Sequence, residues 1–209
     1  MAKALLIENQ RVRDIVVSLL MTVLLLLSLA VAGAVSAPSG PELHAVAVGG
    51  MTFSVPQRWA EREPVSGIAG LGEQVTLVDG DDAQAARHLV LGAFESRVMR
   101  NALWMLGAVV PQMIGAAAQG PVDVDQPVNY RLGRLEGARL VARSRAGGRV
   151  QIHRITVMTA GGARYWVAHM YATYDSVESS RAVIARDDAV YEQVVRSVRL
   201  TEAAEDSHE

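Results

Sequence analysis

The sequence predicts an α+β domain built on antiparallel strands and placed behind one long apolar segment near the N-terminus. The apolar run begins at Ile15, ends at Val35 and contains no charged residue. Farther along, two nearly identical double-glycine turns, Gly147-Gly148 and Gly161-Gly162, separate runs that are rich in strand-forming residues. Two other stretches show helical periodicity. With 209 residues, the chain has room for one such domain and a leader.

The apolar run is expected to enter a membrane. Lys3, Arg11 and Arg13 precede it, and positive residues stay in the cytoplasm, so the domain is expected on the other side. About 20 apolar residues span a bilayer, whereas a cleaved signal has an apolar core of about 7 to 15, so the length favours an anchor. Small residues up to Ala37 equally fit a signal peptidase site. Two localisations stay open: a single-pass cell-membrane protein with its domain outside the cytoplasm, or a periplasmic or secreted protein cleaved after Ala37.

These features divide the chain into segments. Residues 1–14 form a cytoplasmic n-region, 15–35 the anchor or signal segment, 36–44 a linker, 45–200 the folded domain and 201–209 an acidic, disordered tail.

The amino-acid composition limits the kinds of site and of partner that the domain can have. The chain has no cysteine, which excludes disulfides, a lipid-modified cysteine and thiolate metal sites. Residues 130–173 carry eight arginines against Glu136 alone, whereas residues 42–129 carry five arginines and ten acids, and residues 174–209 four arginines and nine acids. The middle of the domain is therefore basic and its flanks acidic, which bears on partners rather than on fold. No cofactor is expected, and no nucleic acid is expected as a partner outside the cytoplasm.

The first strands of the domain are predicted around Gly49-Gly50. The second of them ends at Pro56, which cannot donate a hydrogen bond to a sheet, and Trp59 is expected in the core. The Gly-rich residues 67–72 are expected to form a mobile loop rather than a phosphate cradle, because they neither follow a clear strand nor open a helix.

A second hairpin is predicted from residues 74–79 and 87–94. Asp79, Asp81 and Asp82 cluster in its turn. The spacing lacks the distal Glu of a calcium loop, so a solvated acidic turn is expected there.

A helix is predicted over residues 97–119, where apolar residues recur at steps of three and four. Its apolar face is predicted to hold Leu103, Leu106, Val110, Met113, Ile114 and Ala117. Pro111 is expected to kink or split the helix. Soft, bulky side chains are frequent in it, namely Met99, Trp104, Met105 and Met113. They are expected to fill the core, and an apolar pocket is the alternative. Residues 120–127 are predicted to be a linker.

Two short helices are predicted near the C-terminus. The first starts from a Ser176 cap, and Asp187-Asp188 are expected to open the second, because acids suit a helix N-terminus. Residues 197–200 are predicted as a last strand.

The two double-glycine turns set a register for three consecutive strands. If each glycine pair is a two-residue loop, Leu140 lies opposite Ile155 and Val157 lies opposite Trp166. One face, predicted to be the core face, then holds Leu140, Ala142, His153, Ile155, Val157, Trp166, Ala168 and Met170. The other face is basic and aromatic and holds Arg139, Val141, Arg143, Arg145, Ile152, Arg154, Thr156, Tyr165, Val167, His169 and Tyr171.

Three local motifs, in this order of elements, resemble the PsbP-like superfamily: GMTFSVPQRW near the start of the domain, LEGARL at the first strand of the meander and YEQVVRSVRL at the end. This superfamily includes a photosystem extrinsic subunit, a nuclear Ran-binding protein and many exported bacterial proteins. The resemblance covers roughly residues 46–200. It implies an antiparallel sheet flanked by helices, an α/β/α sandwich. It also implies a binding or assembly module rather than an enzyme, and it transfers no catalytic residues to this chain.

The best candidate binding residues lie on the basic and aromatic face, and they are Arg139, Arg143, Arg145, Arg154, Tyr165, His169 and Tyr171. Arginine grips carboxylates and phosphates with two parallel hydrogen bonds, and tyrosine rings can stack beside such ligands. The alternative is that these arginines pair with acids of a covering helix. No metal site is expected, because the histidines lack zinc spacing and the register places His153 and His169 on opposite faces, with His153 partly buried.

Three hypotheses for the function remain. The first is a binding or assembly module of the cell envelope that holds a protein or an anionic ligand. The second is an envelope hydrolase or small-ligand enzyme with an arginine-lined cleft. The third is a carrier of an apolar ligand, which needs a cavity beside Trp104, Met105 and Met113.

Overall fold

The computed structural model describes residues 42–63, 71–80, 86–98, 100–115 and 121–201. The residues outside these ranges include the predicted anchor or signal segment, most of the Gly-rich loop, Asp81, Asp82, Met99, Ala117 and the acidic tail. Neither helix in the described ranges is long and apolar enough to span a bilayer.

The described elements alternate between strands and two helices. In chain order they are β1 (Leu43–Val48), β2 (Met51–Pro56), β3 (Ala60–Arg62), β4 (Glu73–Asp79), β5 (Arg87–Glu95), α1 (Ala102–Gly115), β6 (Val122–Val124), β7 (Val128–Leu132), β8 (Leu135–Ala146), β9 (Arg149–Thr159), β10 (Arg164–Tyr174), α2 (Arg181–Arg196) and β11 (Arg199–Leu200).

Within the described residues, the strands form one large and one small antiparallel sheet. The large sheet has the order β3-β4-β5-β10-β9-β8-β6, and β7 also pairs with β8. The small sheet has the order β1-β2-β11. The predicted meander, β8 to β10, therefore lies inside the large sheet, and β5 extends it on the β10 side.

A helix lies on each face of the large sheet. On the face that we call the α1 face, α1 packs over a core that includes Leu140 and Ile155. On the opposite α2 face, α2 and the small sheet pack over Trp166 and Ala168. These two cores confirm the predicted antiparallel sheet flanked by helices.

Several local predictions are confirmed. The β1–β2 turn lies at Gly49-Gly50, where both glycines have positive φ, and Trp59 is buried. The β4 and β5 strands and the final strand, β11, lie where they were predicted.

The α1 helix differs from its prediction in three respects. It begins at Ala102 instead of Arg97, because the described residues before Ala102 are not helical. It runs through Pro111 without a break, and Leu103 and Trp104 are 36% and 53% exposed instead of facing the core. The buried side chains are Ala102, Met105, Leu106, Val109, Val110, Met113 and Ile114. Because the helix contains no charged residue, apolar spacing alone did not single out one face.

The predicted linker at residues 120–127 is wrong, because Val122–Val124 forms β6 and pairs with β8. The neighbouring β7 was not predicted either. Both strands are short, with three and five residues, and too few positions alternate to give a recognisable pattern.

The prediction of two C-terminal helices is also wrong. A single helix, α2, runs from Arg181 to Arg196 through Asp187-Asp188. Ser176 accepts a hydrogen bond from the backbone of Ser179 in the turn before α2, so it does not cap the helix itself. Asp187 is only 1% exposed and faces the protein interior.

Asp79 does not belong to a solvated acidic turn. It ends β4, is 8% exposed and accepts hydrogen bonds or ion-pair contacts from Arg87 at 2.9 Å and Arg58 at 3.1 Å. A buried carboxylate needs such partners, because its desolvation is otherwise costly.

One strand register is confirmed and the next is displaced by one residue. Leu140 lies opposite Ile155 as predicted, but Val157 lies opposite Val167 and not Trp166. If this register continues to the turn, Gly161, Gly162 and Ala163 form a three-residue loop. A shift of one residue moves every side chain of β10 to the other face of the sheet.

Candidate functional site

The outer edge of β8 is shared between two short strands, and a groove opens where they separate. β7 pairs with the first half of β8 and β6 with the second. Between them, the backbone N–H of Asp125 donates to the carbonyl of Val141 at 2.9 Å. The groove lies on the α2 face, has a volume of about 460 Å³ and is lined by Asp125, Gln126, Val128, Arg139, Leu140, Val141, Arg154, Asp188, Tyr191 and Glu192.

Arg154 forms the buried end of the groove. It is 1% exposed, and its Nε donates to Asp188 Oδ1 at 2.5 Å. Its other nitrogens lie 3.4 Å from the Tyr174 hydroxyl and from the carbonyl oxygen of Ile184. The carboxylate of Asp188 is 58% exposed, so this pair joins a buried cation to an anion that meets solvent.

Arg139 forms the more open part of the groove. Its Nη1 donates to Glu192, and the Arg196 Nε donates to the other oxygen of Glu192 at 2.6 Å. Burial opposes ionisation of Glu192, but hydrogen bonds from Arg196 and Arg139 outweigh it and hold the pKa of Glu192 below its usual value. The carboxylate is therefore charged at neutral pH.

Arg143 lies outside the groove lining, and its Nη1 donates to Oδ1 of Asp125, a lining residue, at 2.7 Å. This hydrogen bond is the main reason that the pKa of Arg143 is raised. Arg145 is exposed near the end of β8, and among the described residues it has no carboxylate within ion-pair distance. Three of the four predicted arginines are thus paired with acids. Two of these acids, Asp188 and Glu192, lie on α2, the helix that covers this face.

The alternative in which the arginines pair with acids of a covering helix is confirmed for Arg139 and Arg154, whereas Asp125 and Tyr191 were missed in the sequence. Asp188, Tyr191 and Glu192 lie three and four residues apart on α2 and therefore share one side of the helix. Their spacing of three and four residues was the sequence feature that could have identified them as one group. Tyr191 is buried, and its hydroxyl lies 2.8 Å from the accepting carbonyl oxygen of Ala168 and 2.8 Å from Thr156 Oγ1.

The three remaining candidates, Tyr165, His169 and Tyr171, lie on the α1 face and not beside the arginines. The displaced register of β10 causes this change. His153 and His169, which were predicted on opposite faces, contact each other with 3.1 Å between Nδ1 of His153 and Nε2 of His169. The ring of Tyr171 stacks on that of His88 at 4.7 Å between centroids.

The histidine pair is buried and neutral. Burial is the main cause that lowers the pKa of His153 to about 4, with a smaller contribution from Arg154. Burial, followed by His153 and His88, lowers the pKa of His169. With both imidazoles neutral, one ring N–H donates to the unprotonated nitrogen of the other ring.

Ser144 Oγ lies 3.4 Å from His153 Nε2, so Ser144, His153 and His169 form a chain of three side chains in contact. A serine nucleophile needs a base and an orienting group in such an order. Ser144, His153 and His169 are each at most 1% exposed, so the chain of contacts lies inside the protein. The part of the chain that the structure describes contains no group of three or more side chains placed to hold a metal ion.

Tyr165 has a positioning role. Its ring is fully buried, its hydroxyl donates to the Arg100 carbonyl at 2.6 Å, and it accepts from the Arg100 N–H at 2.8 Å. These two bonds fix the backbone just before α1.

Solved structures share this architecture over most of their length. The Ran-binding protein Mog1p of Saccharomyces cerevisiae matches with a TM-score of 0.57 at 12% identity, over 79% of this chain and 98% of that chain. The cyanobacterial PsbP protein CyanoP of Synechocystis matches with a TM-score of 0.52 at 12% identity, over 79% of this chain and 96% of that chain. LpqN of Mycobacterium tuberculosis, a protein involved in cell envelope biogenesis, matches with a TM-score of 0.46 at 12% identity, over 77% of this chain and 91% of that chain.

The chain has the PsbP-like fold, which confirms the resemblance inferred from the three sequence motifs. At 12% identity, this likeness concerns the fold alone. No protein-family profile matches the sequence, and no curated protein matches it.

Proposed function

We propose that the domain is a non-catalytic binding or assembly module of the cell envelope and that the groove between β8 and α2 binds a protein partner. The observation that carries this proposal is the state of the groove's charges. Arginines and carboxylates alternate along it as ion pairs that are partly open to solvent.

The pair of Arg139 and Glu192 is suited to exchange. Its side chains are 37% and 33% exposed, and ion pairs at this exposure contribute only about 0 to 1 kcal/mol to stability. A partner that offers its own carboxylate to Arg139 and its own cation to Glu192 therefore replaces the internal pair at little cost. Arg154, in contrast, is fixed by buried contacts and shapes the floor of the groove.

The apolar part of the groove favours a protein segment over a small anion. Val128 is 59% exposed at the rim, and Val141 lines the floor. Protein interfaces combine such apolar contacts with charges of both signs at the rim. The PsbP-like Mog1p is described as Ran-binding, which agrees with a protein-binding role for this fold.

The envelope location rests on the predicted anchor or signal segment, with positive residues before it. The other two hypotheses gain no specific support. The groove is lined by no serine or histidine among its described residues. Met105 and Met113 face the sheet while Trp104 faces solvent, so these three side chains do not share one cavity.

A charge exchange across the groove tests the proposal. In the double variant Arg139→Glu with Glu192→Arg, the Arg139 pair is retained with reversed polarity, while Arg196 loses its carboxylate partner and meets a like charge. Because Arg196 is 71% exposed, this loss costs only a few tenths of a kcal/mol, so the fold is expected to survive. A partner that reads the original polarity then meets like charges, and we expect its co-purification with the full-length protein from host membranes to fall at least tenfold.

The matched control reverses the exposed pair of Arg164 and Glu95, which lies outside the groove. This control is expected to leave co-purification unchanged. Equal recovery of the partner with both exchanged proteins, each with a near wild-type melting temperature, would contradict the proposal.

A further inference from the structure

The outer face of α1 carries no charge, although it meets solvent. The helix has no acidic or basic residue at all, and Arg100 and Asp123 are the charged residues that flank it in the sequence. The exposed positions of its outer face are Leu103, Trp104, Gly107, Ala108, Pro111, Gln112 and Gly115. A helix that is apolar on all sides is normally buried on all sides. The outer face of α1 therefore has the composition of a contact surface.

Large apolar side chains concentrate at the N-terminal end of this face. Trp104 is 53% and Leu103 36% exposed, and Val98, which precedes the helix by four residues, is 50% exposed. Exposed apolar groups that lie together, rather than scattered singly, mark binding surfaces.

Two arginines without acidic partners border the same end. Arg97 and Arg100 are exposed, and within the described ranges no carboxylate lies within ion-pair distance of either guanidinium. The nearby Glu95 is paired with Arg164 at 2.8 Å. The Arg100 guanidinium lies 5.3 Å from the centre of the Trp104 ring, as in a cation–π contact.

This end of the helix is held in a fixed position. The Tyr165 hydroxyl bonds both backbone groups of Arg100, and Asn101 Oδ1 accepts from the backbone N–H of Trp104 at 2.9 Å. Little ordering is therefore needed when a partner binds, which lowers the entropic cost of the contact.

We propose that this surface, formed by Arg97, Val98, Arg100, Leu103 and Trp104, rests on an anionic phospholipid bilayer. Tryptophan is enriched at the boundary between lipid headgroups and acyl chains, and each arginine near an anionic leaflet adds about 1 kcal/mol of attraction. A second copy of the chain is a poorer occupant. A symmetric dimer through this face brings the arginines of both copies to one interface, where like charges repel each other.

The length of the linker bears on the whole domain and not on one face, because β1, which follows it, belongs to the small sheet on the α2 face. The predicted apolar segment ends at Val35, and the seven residues from 36 to 42 reach at most about 25 Å when extended. A retained leader would therefore keep a bilayer within reach of the domain.

The proposal can be tested through tryptophan fluorescence, because Trp59 and Trp166 are 2% and 1% exposed and the third tryptophan is Trp104. The full-length protein is reconstituted in liposomes of phosphatidylcholine with or without phosphatidylglycerol, and brominated lipids serve as quenchers. We expect brominated lipids to quench the emission in anionic liposomes, and we expect Trp104→Phe to remove this quenching. Aqueous acrylamide should reach Trp104 several-fold less well than in detergent.

Charge variants separate contact of this face from attachment through the leader. Arg97→Glu with Arg100→Glu is expected to reduce lipid quenching several-fold, whereas the control, Arg62→Glu with Arg181→Glu, makes the same charge change elsewhere and should retain it. Undiminished acrylamide access without lipid quenching overturns the proposal. Lipid quenching that survives reversal of Arg97 and Arg100 overturns it as well, and so does protection from acrylamide without lipid quenching, because that result indicates a protein cover.

Discussion

His153 and His169 lie side by side inside the large sheet and are neutral in the folded protein. In an unfolded chain, both imidazoles have an ordinary pKa near about 6.5. In the folded state, burial lowers the pKa of His153 to about 4 and also lowers that of His169. Between these values the unfolded state binds more protons than the folded state, so the free energy of unfolding falls with falling pH.

We therefore predict that the protein keeps its full histidine contribution above about pH 6.5 and loses it progressively as the pH falls towards about 4. Denaturant unfolding at a series of pH values measures this slope. His153→Gln should make the slope shallower. Equal slopes in the wild type and in His153→Gln would contradict the burial of a neutral pair.

Asp187 is the most buried carboxylate among the described residues that form ion pairs. It is 1% exposed and accepts from Arg87 Nε at 2.8 Å and from the Tyr174 hydroxyl at 2.8 Å. Asp187→Ala leaves the buried Tyr174 hydroxyl without this acceptor and weakens the pairing of Arg87.

We predict that Asp187→Ala lowers the free energy of unfolding by about 3 kcal/mol, because one partner of a buried charged network is removed. Chemical denaturation measures the change. Asp175→Ala, which removes a carboxylate that is 83% exposed, should change stability by less than about 0.5 kcal/mol. Similar effects of the two substitutions would show that Asp187 is not buried as described.

At the scale of elements, the β1–β2 turn is the point where the small sheet meets the large one. Gly49 has φ +56°, its N–H donates to Glu73 at 2.7 Å, and its carbonyl accepts from the Trp166 indole at 2.8 Å. A Cβ at Gly49 would lie 2.1 Å from the Cβ of Ala93. This position therefore requires glycine for both its φ and its close contact.

Gly147 shares only the first requirement and serves as a control. It has the same φ of +56°, but a Cβ added to it would meet no atom within 4 Å. Gly147→Ala should cost about 1 to 2 kcal/mol for the left-handed backbone alone. Gly49→Ala should cost about 1 to 3 kcal/mol more, because of overpacking. Adding Ala93→Gly to Gly49→Ala should recover part of that difference, and equal melting temperatures of the two single variants would argue against the close contact.

The hairpins show how far local sequence predicts an element. The β8–β9 register is correct because Gly147-Gly148 does form a two-residue turn, with φ of +56° and +81°. Gly161-Gly162 has the same composition and also takes positive φ, but the register of its strands indicates a three-residue loop. Two glycines permit either loop, so packing across the sheet decides, and the resulting shift moves His169 to the other face.

The α1 helix shows a different limit. Its existence was predictable from spacing, but its orientation was not, because nearly every position is apolar. Because the helix is apolar on all sides, its buried face could not be predicted from the sequence. For the same reason its outer face, which includes the exposed Trp104, is a candidate for contact with lipid.

At the scale of the whole molecule, the large sheet separates two surfaces of different chemistry. The α2 face carries the groove with its ion pairs, and the α1 face carries an uncharged helix bordered by Arg97 and Arg100. The arginines of the groove were predictable, because they follow strand periodicity in β8 and β9. Pairing with acids of a covering helix was the stated alternative, and Asp188 and Glu192 confirm it. The individual pairs and the partner Asp125 were not predictable, because only the fold brings these separate segments of the chain together.

The central claim, that the groove binds a protein, is tested most directly by site-specific photo-crosslinking in intact host cells. A photoreactive residue replaces Val128 at the groove rim in one protein and Val183, an exposed valine of α2 outside the groove, in another. We predict a discrete protein adduct from position 128 that disappears when Arg139 and Glu192 are exchanged, and no such adduct from position 183. The absence of an adduct at position 128, or an adduct that persists after the exchange, would contradict the account.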